Sequence, residues 1–404
     1  MKIRSVLLGS LAAAGLATTG YAADLGVVTS LDVCDELGLS GLTISSDDNC
    51  LVITGGVTVE YSIGDYATAS VPYQTFARSG GTVTYDTADG VIDTAADVDA
   101  WLKFVATADS DFGPATATIK LISENNDGTS DWTVGIDEAW VGIGDTTMLM
   151  AGYKGSIFND GDDAPLNYLG LFNSSDVDAG VGFAGGPTTG GDVLQIVSNL
   201  GNGISVGGAV ENWGGGGNPT GVGVISYAGD GITAHASAAA DLAGTWKAHA
   251  GFTGAWDPIK VVGAVAADST GYWNALGSLS ATFDMFTLAA SGEATSAGEW
   301  GVGGSASATV SDGVTINLGG RYFQGTADSN YQVEAGVSAA VTETITLTAA
   351  IGAADSTAAG AAPLIYGKAG LAWAPGGGFT SSIEGSANTL GGYKATFKAA
   401  KTIK

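Results

Sequence analysis

From Asp192 to its end the chain repeats one unit: an alternating apolar and polar segment, a tight turn, a second alternating segment and a short polar connection. The tight turns fall at Asn202-Gly203, Asp230-Gly231, Asp257-Pro258, Asp284-Met285, Asp312-Gly313, Thr342-Glu343-Thr344 and Pro375-Gly376-Gly377. Most carry Asx-Gly or Pro-Gly chemistry, which supplies the backbone conformations that a short reversal demands. Successive turns lie roughly 27 to 32 residues apart, the length of one hairpin plus one connection. A string of hairpins makes an antiparallel all-β fold and excludes βαβ units, whose crossovers need a helix-length connection.

The alternation gives every strand two different faces. Val314, Ile316, Leu318, Gly320 and Tyr322 share one parity, and Thr315, Asn317, Gly319 and Arg321 the other. In a soluble sandwich the apolar faces meet in a dense core of large side chains, whereas here Ala and the 65 Gly fill much of that parity. Hydrocarbon asks for no such packing, and a closed sheet satisfies every backbone group within it. Residues 246–256, WKAHAGFTGAW, put Trp246 and Trp256 at the two ends of one bare stripe. Ten residues of a strand tilted by about 45° rise roughly 23 to 25 Å, the height of the apolar band of a membrane barrel, so both fit an aromatic girdle. Trp273 and Phe283, Trp300 and Val310, and Phe397 with Tyr393 give less complete instances. Cross-strand aromatic pairs in a soluble sheet are the alternative. Beyond the N-terminus no run of 18 apolar residues occurs, so helices are excluded as the membrane-crossing element.

That N-terminus reads as a signal peptide over residues 1–22: Lys2 and Arg4 precede an apolar run from Val6 to Ala17, and Gly20-Tyr21-Ala22 is a small-x-small cleavage site. The formal net charge is -27. It moves to about -29 once Lys2 and Arg4 are gone, and so acidic a chain is not expected to bind nucleic acid, because phosphate requires the opposite field. Cys34 and Cys50 are the only cysteines, and in an exported protein they are expected to form a disulfide. A structural zinc site would need four ligands, and the chain has two histidines.

Residues 32–61, DVCDELGLSGLTISSDDNCLVITGGVTVEY, and 137–160, DEAWVGIGDTTMLMAGYKGSIFND, resemble the alphaproteobacterial porin family. Residues 32–61 resemble its Val-Cys-Asp opening, its further cysteine and its Gly-Gly-bearing first strand. Residues 137–160 are similar to the strand, turn and strand that lead into its inward-folded loop. The resemblance implies a transmembrane antiparallel barrel of sixteen strands, a homotrimer, a periplasmic segment at 23–50, a barrel over 51–404 and a constriction loop at about 154–180. The hairpin tally itself gives five strands before the loop, seven hairpins after Asp192 and a closing strand at 391–398, which reaches twenty; the expectation is sixteen within a range of sixteen to twenty. The chain departs from the family pattern with Lys154 in place of an arginine, with only Arg78 and Arg321 left after cleavage, and with KAAKTIK following Phe397. The last departure leaves open whether the final strand ends at Phe397.

By resemblance the constriction loop brings Asp160, Asp162, Asp163, Asp176 and Asp178 to the pore, where crowded carboxylates attract cations and repel anions. Inward parity assigns the facing wall to Glu60, Lys103, Lys120, Lys247, Arg321, Glu334, Lys368, Glu384 and Lys394. The acidic stretch 86–99, DTADGVIDTAADVD, reads as part of an external loop over 62–97, either solvated or bridged by Ca2+ to lipopolysaccharide; it lacks EF-hand spacing, and no cofactor is expected. No nucleophile elbow, HExxH helix or phosphate-binding loop is present, so no enzyme is expected. The expected function is passive diffusion of small hydrophilic solutes and ions, with a preference for cations, through the lipid of a Gram-negative outer membrane. The alternatives are a substrate-specific channel of the same architecture, for which Trp101 and Phe323 have inward parity without forming a stacking track of aromatics, and a secreted Gly/Ala-rich surface-layer or adhesin protein.

Overall fold

The computed structural model of the chain describes residues 34, 39, 41–46, 48–66, 68–74, 82–125, 133–171, 180–214, 217–326, 329–355 and 363–403. Residues 1–22, expected as a signal peptide, and Arg78, Asp176 and Asp178 lie outside the described residues. The strands are β1 (Leu42–Ser45), β2 (Cys50–Asp65), β3 (Thr68–Gln74), β4 (Thr82–Thr87), β5 (Asp93–Ala108), β6 (Ala115–Asn125), β7 (Val134–Gly144) and β8 (Thr147–Lys154). After a long irregular stretch come β9 (Gly191–Gly201), β10 (Ile204–Glu211), β11 (Thr220–Gly229), β12 (Ile232–Asp241), β13 (Trp246–Trp256), β14 (Ile259–Asp268), β15 (Trp273–Phe283) and β16 (Phe286–Thr295). The chain ends with β17 (Trp300–Ser311), β18 (Val314–Gln324), β19 (Ser329–Ala340), β20 (Ile345–Ala354), β21 (Leu364–Gly376), β22 (Phe379–Asn388) and β23 (Tyr393–Ile403).

From β5 to β23 each strand pairs antiparallel with the next, and β2 pairs with β5 on one edge and β23 on the other, so the sheet is closed. Of its 21 strands β1 is a short piece on the edge of β2, leaving twenty in the barrel. This corrects the count of sixteen that the resemblance implied. Connections such as Asp241-Leu242-Ala243-Gly244 use so little chain that all seven hairpins after Asp192 fit. The turns behave as their residues dictate: Asp230 and Gly231 both take positive φ, 53° and 75°, the pair that a two-residue hairpin of native twist needs. A side chain at Gly231 would meet the Ala255 carbonyl at 2.5 Å. The final strand runs past Phe397 to Ile403 and pairs with β2 throughout.

A further correction concerns residues 62–97, expected as one loop. β2 continues to Asp65, a hairpin of β3 and β4 follows, and β5 starts at Asp93. Asp97 and Asp99 share a parity with Trp101 and Lys103, while Val98, Ala100 and Leu102 share the other, and with its first two residues in β4 most of the acidic stretch is strand.

The barrel is inverted relative to a soluble protein. Leu318 and Ile351 are 54% and 62% exposed on the outward parity, while Ser237, Asn274, Ser278, Glu293 and Glu334 are buried on the inward one. Apolar outside and polar inside is the arrangement hydrocarbon selects, and the protein is a transmembrane β-barrel. Trp246, Trp273 and Trp300 open β13, β15 and β17 at one rim, and Trp256 and Phe283 close β13 and β15 at the other; all five are exposed. Phe397 is exposed too but pairs with Tyr61 and Ile383 at mid-strand, within the band and away from the rim.

Cys34 and Cys50 form the expected disulfide, with Cα atoms 4.9 Å apart. Cys50 also opens β2 and pairs with Thr107. Because the sheet closes without help from residue 34, reduction is expected to leave a folded, heat-modifiable barrel on gels. The loss should reach at most about 3 kcal/mol, the chain-entropy value for a loop of this length. Loss of the folded band under reducing conditions would show instead that the N-terminal segment nucleates the sheet.

Candidate functional site

Between Lys154 at the end of β8 and Gly191 at the start of β9 the described residues form no strand and turn into the lumen. Backbone N–H groups taken inside a barrel need acceptors, and the inward faces of the strands provide them one after another. The N–H groups of Ile157 and Gly190 donate to the Glu211 carboxylate at 3.0 and 2.7 Å, so both roots of the loop hang on one side chain of β10. Going out, Asn159 N donates to Ser237 Oγ on β12, Leu166 N to Ser278 Oγ on β15 and Tyr168 N to Ser305 Oγ on β17, each at 2.9 to 3.0 Å. Coming back, Gly182 N donates to Asn274 Oδ1, and the N–H groups of Ala184 and Gly185 donate to the Asp268 carboxylate.

Two further groups hold the loop. Leu171 and Val181 are buried against Val262, Ala264 and Ala266 of β14 and Leu276 of β15, with Leu166 and Phe183 beside them. Burial of apolar surface therefore operates inside the lumen, between loop and wall. At the tip, the Arg321 guanidinium donates to the carbonyls of Leu169 and Leu171 at 2.9 and 2.6 Å and to Gln332 at 2.8 Å. The Tyr168 hydroxyl donates to Glu334 at 2.7 Å, and the same carboxylate accepts from the Tyr366 hydroxyl at 2.8 Å and lies 3.5 Å from Lys368 Nζ. Burial and the Glu334 carboxylate push the Tyr168 phenol far above its ordinary range. A phenol raised in the folded state keeps its stabilising O–H at every pH below the ordinary value of about 10 and loses it only above that. The tip contact is therefore expected to be unchanged between pH 6 and pH 9, as read by loop proteolysis across that range.

The aspartates assigned to the constriction separate. Asp160 is exposed. Asp162 turns to the wall, where it accepts from the Thr233 hydroxyl and lies 3.2 Å from His235 Nδ1. Asp163 is buried, accepts from Val181 N and lies 3.7 Å from His249 Nε2. His235 and His249 share a hydrogen bond of 2.8 Å in coplanar rings, so the only two histidines of the chain stand together under the loop. Lys247 donates to Thr189 and lies over Phe158 and Phe183, inside the loop's footing.

The other wall residues lie elsewhere. Lys103 pairs with Glu138 at 3.2 Å and Lys120 with Asp137 at 2.7 Å on β5 to β7, and Lys398 pairs with Glu60 at 3.0 Å where β23 meets β2. Among the described residues no group of three His, Cys, Asp or Glu side chains is placed to hold a metal ion.

Sequence reasoning misses Glu211, Asp268, Asn274 and the serines as anchors. Their signal is inward parity with a short acceptor side chain, which is common on any lumen face. It also misses Trp140, whose indole donates to Glu138 from the inward parity of β7. A bulge opposite Lys120 and Leu121 shifts the register there, and strand counting alone does not locate it.

No family model matches the chain, and no curated protein matches it. Among solved structures it is similar to a triple mutant of Rhodopseudomonas blastica porin, at 14% identity over 87% of this chain and 99% of that one, with a TM-score of 0.40. It is also similar to a loop-deletion mutant of OmpT, an outer membrane protein of Vibrio cholerae, at 8% identity over 88% of this chain and 100% of that one, with a TM-score of 0.38.

Proposed function

We propose that the protein is a passive channel of the Gram-negative outer membrane that carries small hydrophilic solutes and ions through a lumen narrowed by residues 155–190. One observation carries the reading: an apolar-coated barrel spends side chains of β9 to β19 on holding a loop against the inside of its wall. A barrel with a merely structural role has no use for so many buried acceptors facing its own lumen. The same reading includes a homotrimer and contact of the outer surface with lipid and lipopolysaccharide, on the strength of the family resemblance.

Cations are the preferred ions. Asp162 and Asp163 are spent on the wall, so the preference rests on the excess of acid over base in the chain, 41 Asp and Glu against 14 Lys and Arg. The luminal lysines 103, 120, 368 and 398 each have a carboxylate within 3.5 Å, which leaves the remaining carboxylates to set the potential. Refolded protein in a planar bilayer under a potassium chloride gradient should insert in steps and show a cation-selective reversal potential. A chloride-selective potential would sink the selectivity, and a folded barrel that never conducts would sink the channel.

A further inference from the structure

The described hydrogen bonds between loop and wall fall on β9 to β19, while Lys103, Lys120 and Glu138 on the inward parity of β5 to β7 are partly exposed. The inward parity follows from the register: Gln195, bonded to the loop at Gly155, stands opposite Met150, Met150 opposite Gly142, Gly142 opposite Thr116 and Thr116 opposite Thr107. Trp101 and Lys103 share the parity of Thr107, and Trp140 and Glu138 that of Gly142.

Across this face runs one row of charge. Lys103 stands opposite Lys120 and Lys120 opposite Glu138. Lys154 follows Tyr153, the partner of Ala139, and so faces Glu138 at the point where the loop leaves β8. A tryptophan lies on either side of the row: Trp101 opposite Ile122, and Trp140 opposite Thr118. Lys120 Nζ is 5.8 Å from the ring centre of Trp101, and Lys154 Nζ is 5.2 Å from that of Trp140. The backbone positions of the two tryptophans are four residues and two strands apart, roughly 16 Å at strand spacing.

We infer that this face is a binding site for neutral oligosaccharides on their way past the loop; the inference deepens the channel reading and rests on it. A sugar ring has an apolar C–H face, which an indole covers, and a rim of hydroxyls that both donate and accept. The row supplies ammonium donors and carboxylate acceptors side by side, Lys103 with Glu138 and Lys120 with Asp137, all partly open to the lumen. Because the ammonium groups are largely matched by carboxylates, the face asks for hydroxyls and not for a charged solute. The separation of the indoles selects a short oligosaccharide over a single sugar.

The test is calorimetric titration of the folded, heat-modifiable protein in detergent with maltotriose and with cellotriose, and with glucose and gluconate for comparison. Saturable binding of at least one trisaccharide, weaker for glucose and for gluconate, is expected. W101A and W140A should each weaken it roughly tenfold, the factor for about 1.4 kcal/mol. W273A, on the lipid side, should leave it unchanged. No saturable heat with either trisaccharide, equal affinity in W101A and W140A to that of the parent, or tighter binding of gluconate overturns the inference, whatever the bilayer shows. Binding by a barrel that passes no current keeps the site and removes the channel. Current without binding keeps the channel and removes the site.

Discussion

Glu334→Ala is expected to release the tip of the inward loop, raising single-channel conductance and its noise while the barrel stays folded. The carboxylate is buried and accepts from Tyr168 of the loop and Tyr366 of the wall, so its loss strands two hydroxyls at once. Leaving a buried donor without a partner costs about 1 to 3 kcal/mol, and the wall hydroxyl has Gln332 beside it as a further contact. A net loss of about 3 kcal/mol for docking the tip multiplies the released population roughly a hundredfold. The limb anchors Ser237, Ser278, Asn274 and Asp268 stay in place, so the loosened part is the segment around Tyr168, where Ser305 and Arg321 remain as the backbone contacts, and not the whole loop. Glu334→Gln keeps one acceptor oxygen and should fall between the two. Bilayer recordings together with limited proteolysis of the folded protein read the effect. Conductance, noise and cleavage all equal to those of the parent would mean that the tip does not depend on this carboxylate.

Ala250→Arg is expected to destabilise the barrel in lipid by about 2 to 4 kcal/mol, the cost of an arginine facing the bilayer midplane. Ala250 sits near the middle of β13, opposite Ala236 and Val265, and Val265 is 44% exposed on the outward face. The matching change on the lumen side, Ser386→Arg on β22, should stay within about 0.5 kcal/mol, since water meets it there. Urea unfolding from lipid vesicles measures both. Equal costs at the two positions would contradict the assignment of inside and outside, and with it the membrane reading.

Whether a feature is legible in the sequence depends on whether it is periodic. The hairpins after Asp192 are readable because alternation and Asx-Gly turns repeat, and direct counting reaches twenty strands; the resemblance pulls the expectation to sixteen. The start of β5 is hidden because Asp93, Asp97 and Asp99 have the character of solvated loop, and an acidic side chain is equally at home on a strand whose inner face is wet. The loop's course is not readable. Its acceptors are Ser237, Ser278, Asn274 and Asp268, each ordinary for a lumen wall, and only the path of the loop picks them out. The same holds for Asp162 and Asp163: the resemblance counts them as pore charge, while geometry spends them on Thr233, His235 and Val181.

The seam between β2 and β23 also governs the order in which the molecule can be assembled. Glu60 and Lys398, bonded across it, are 338 residues apart, so the first barrel strand has no lasting neighbour on that edge until the end of the polypeptide arrives. An unpaired strand edge invites pairing with other chains, and contacts between distant segments form slowly. β1 covers part of the exposure early: it pairs Leu42 to Ser45 with Cys50 to Ile53, on the side of β2 that β23 takes from Gly55 onward. The residues from Gly55 to Asp65 still wait for β23. While the sheet forms, its β2 edge must therefore be kept from foreign strands until β23 has joined it, and a truncation that removes β23 should convert a membrane protein into an aggregating one.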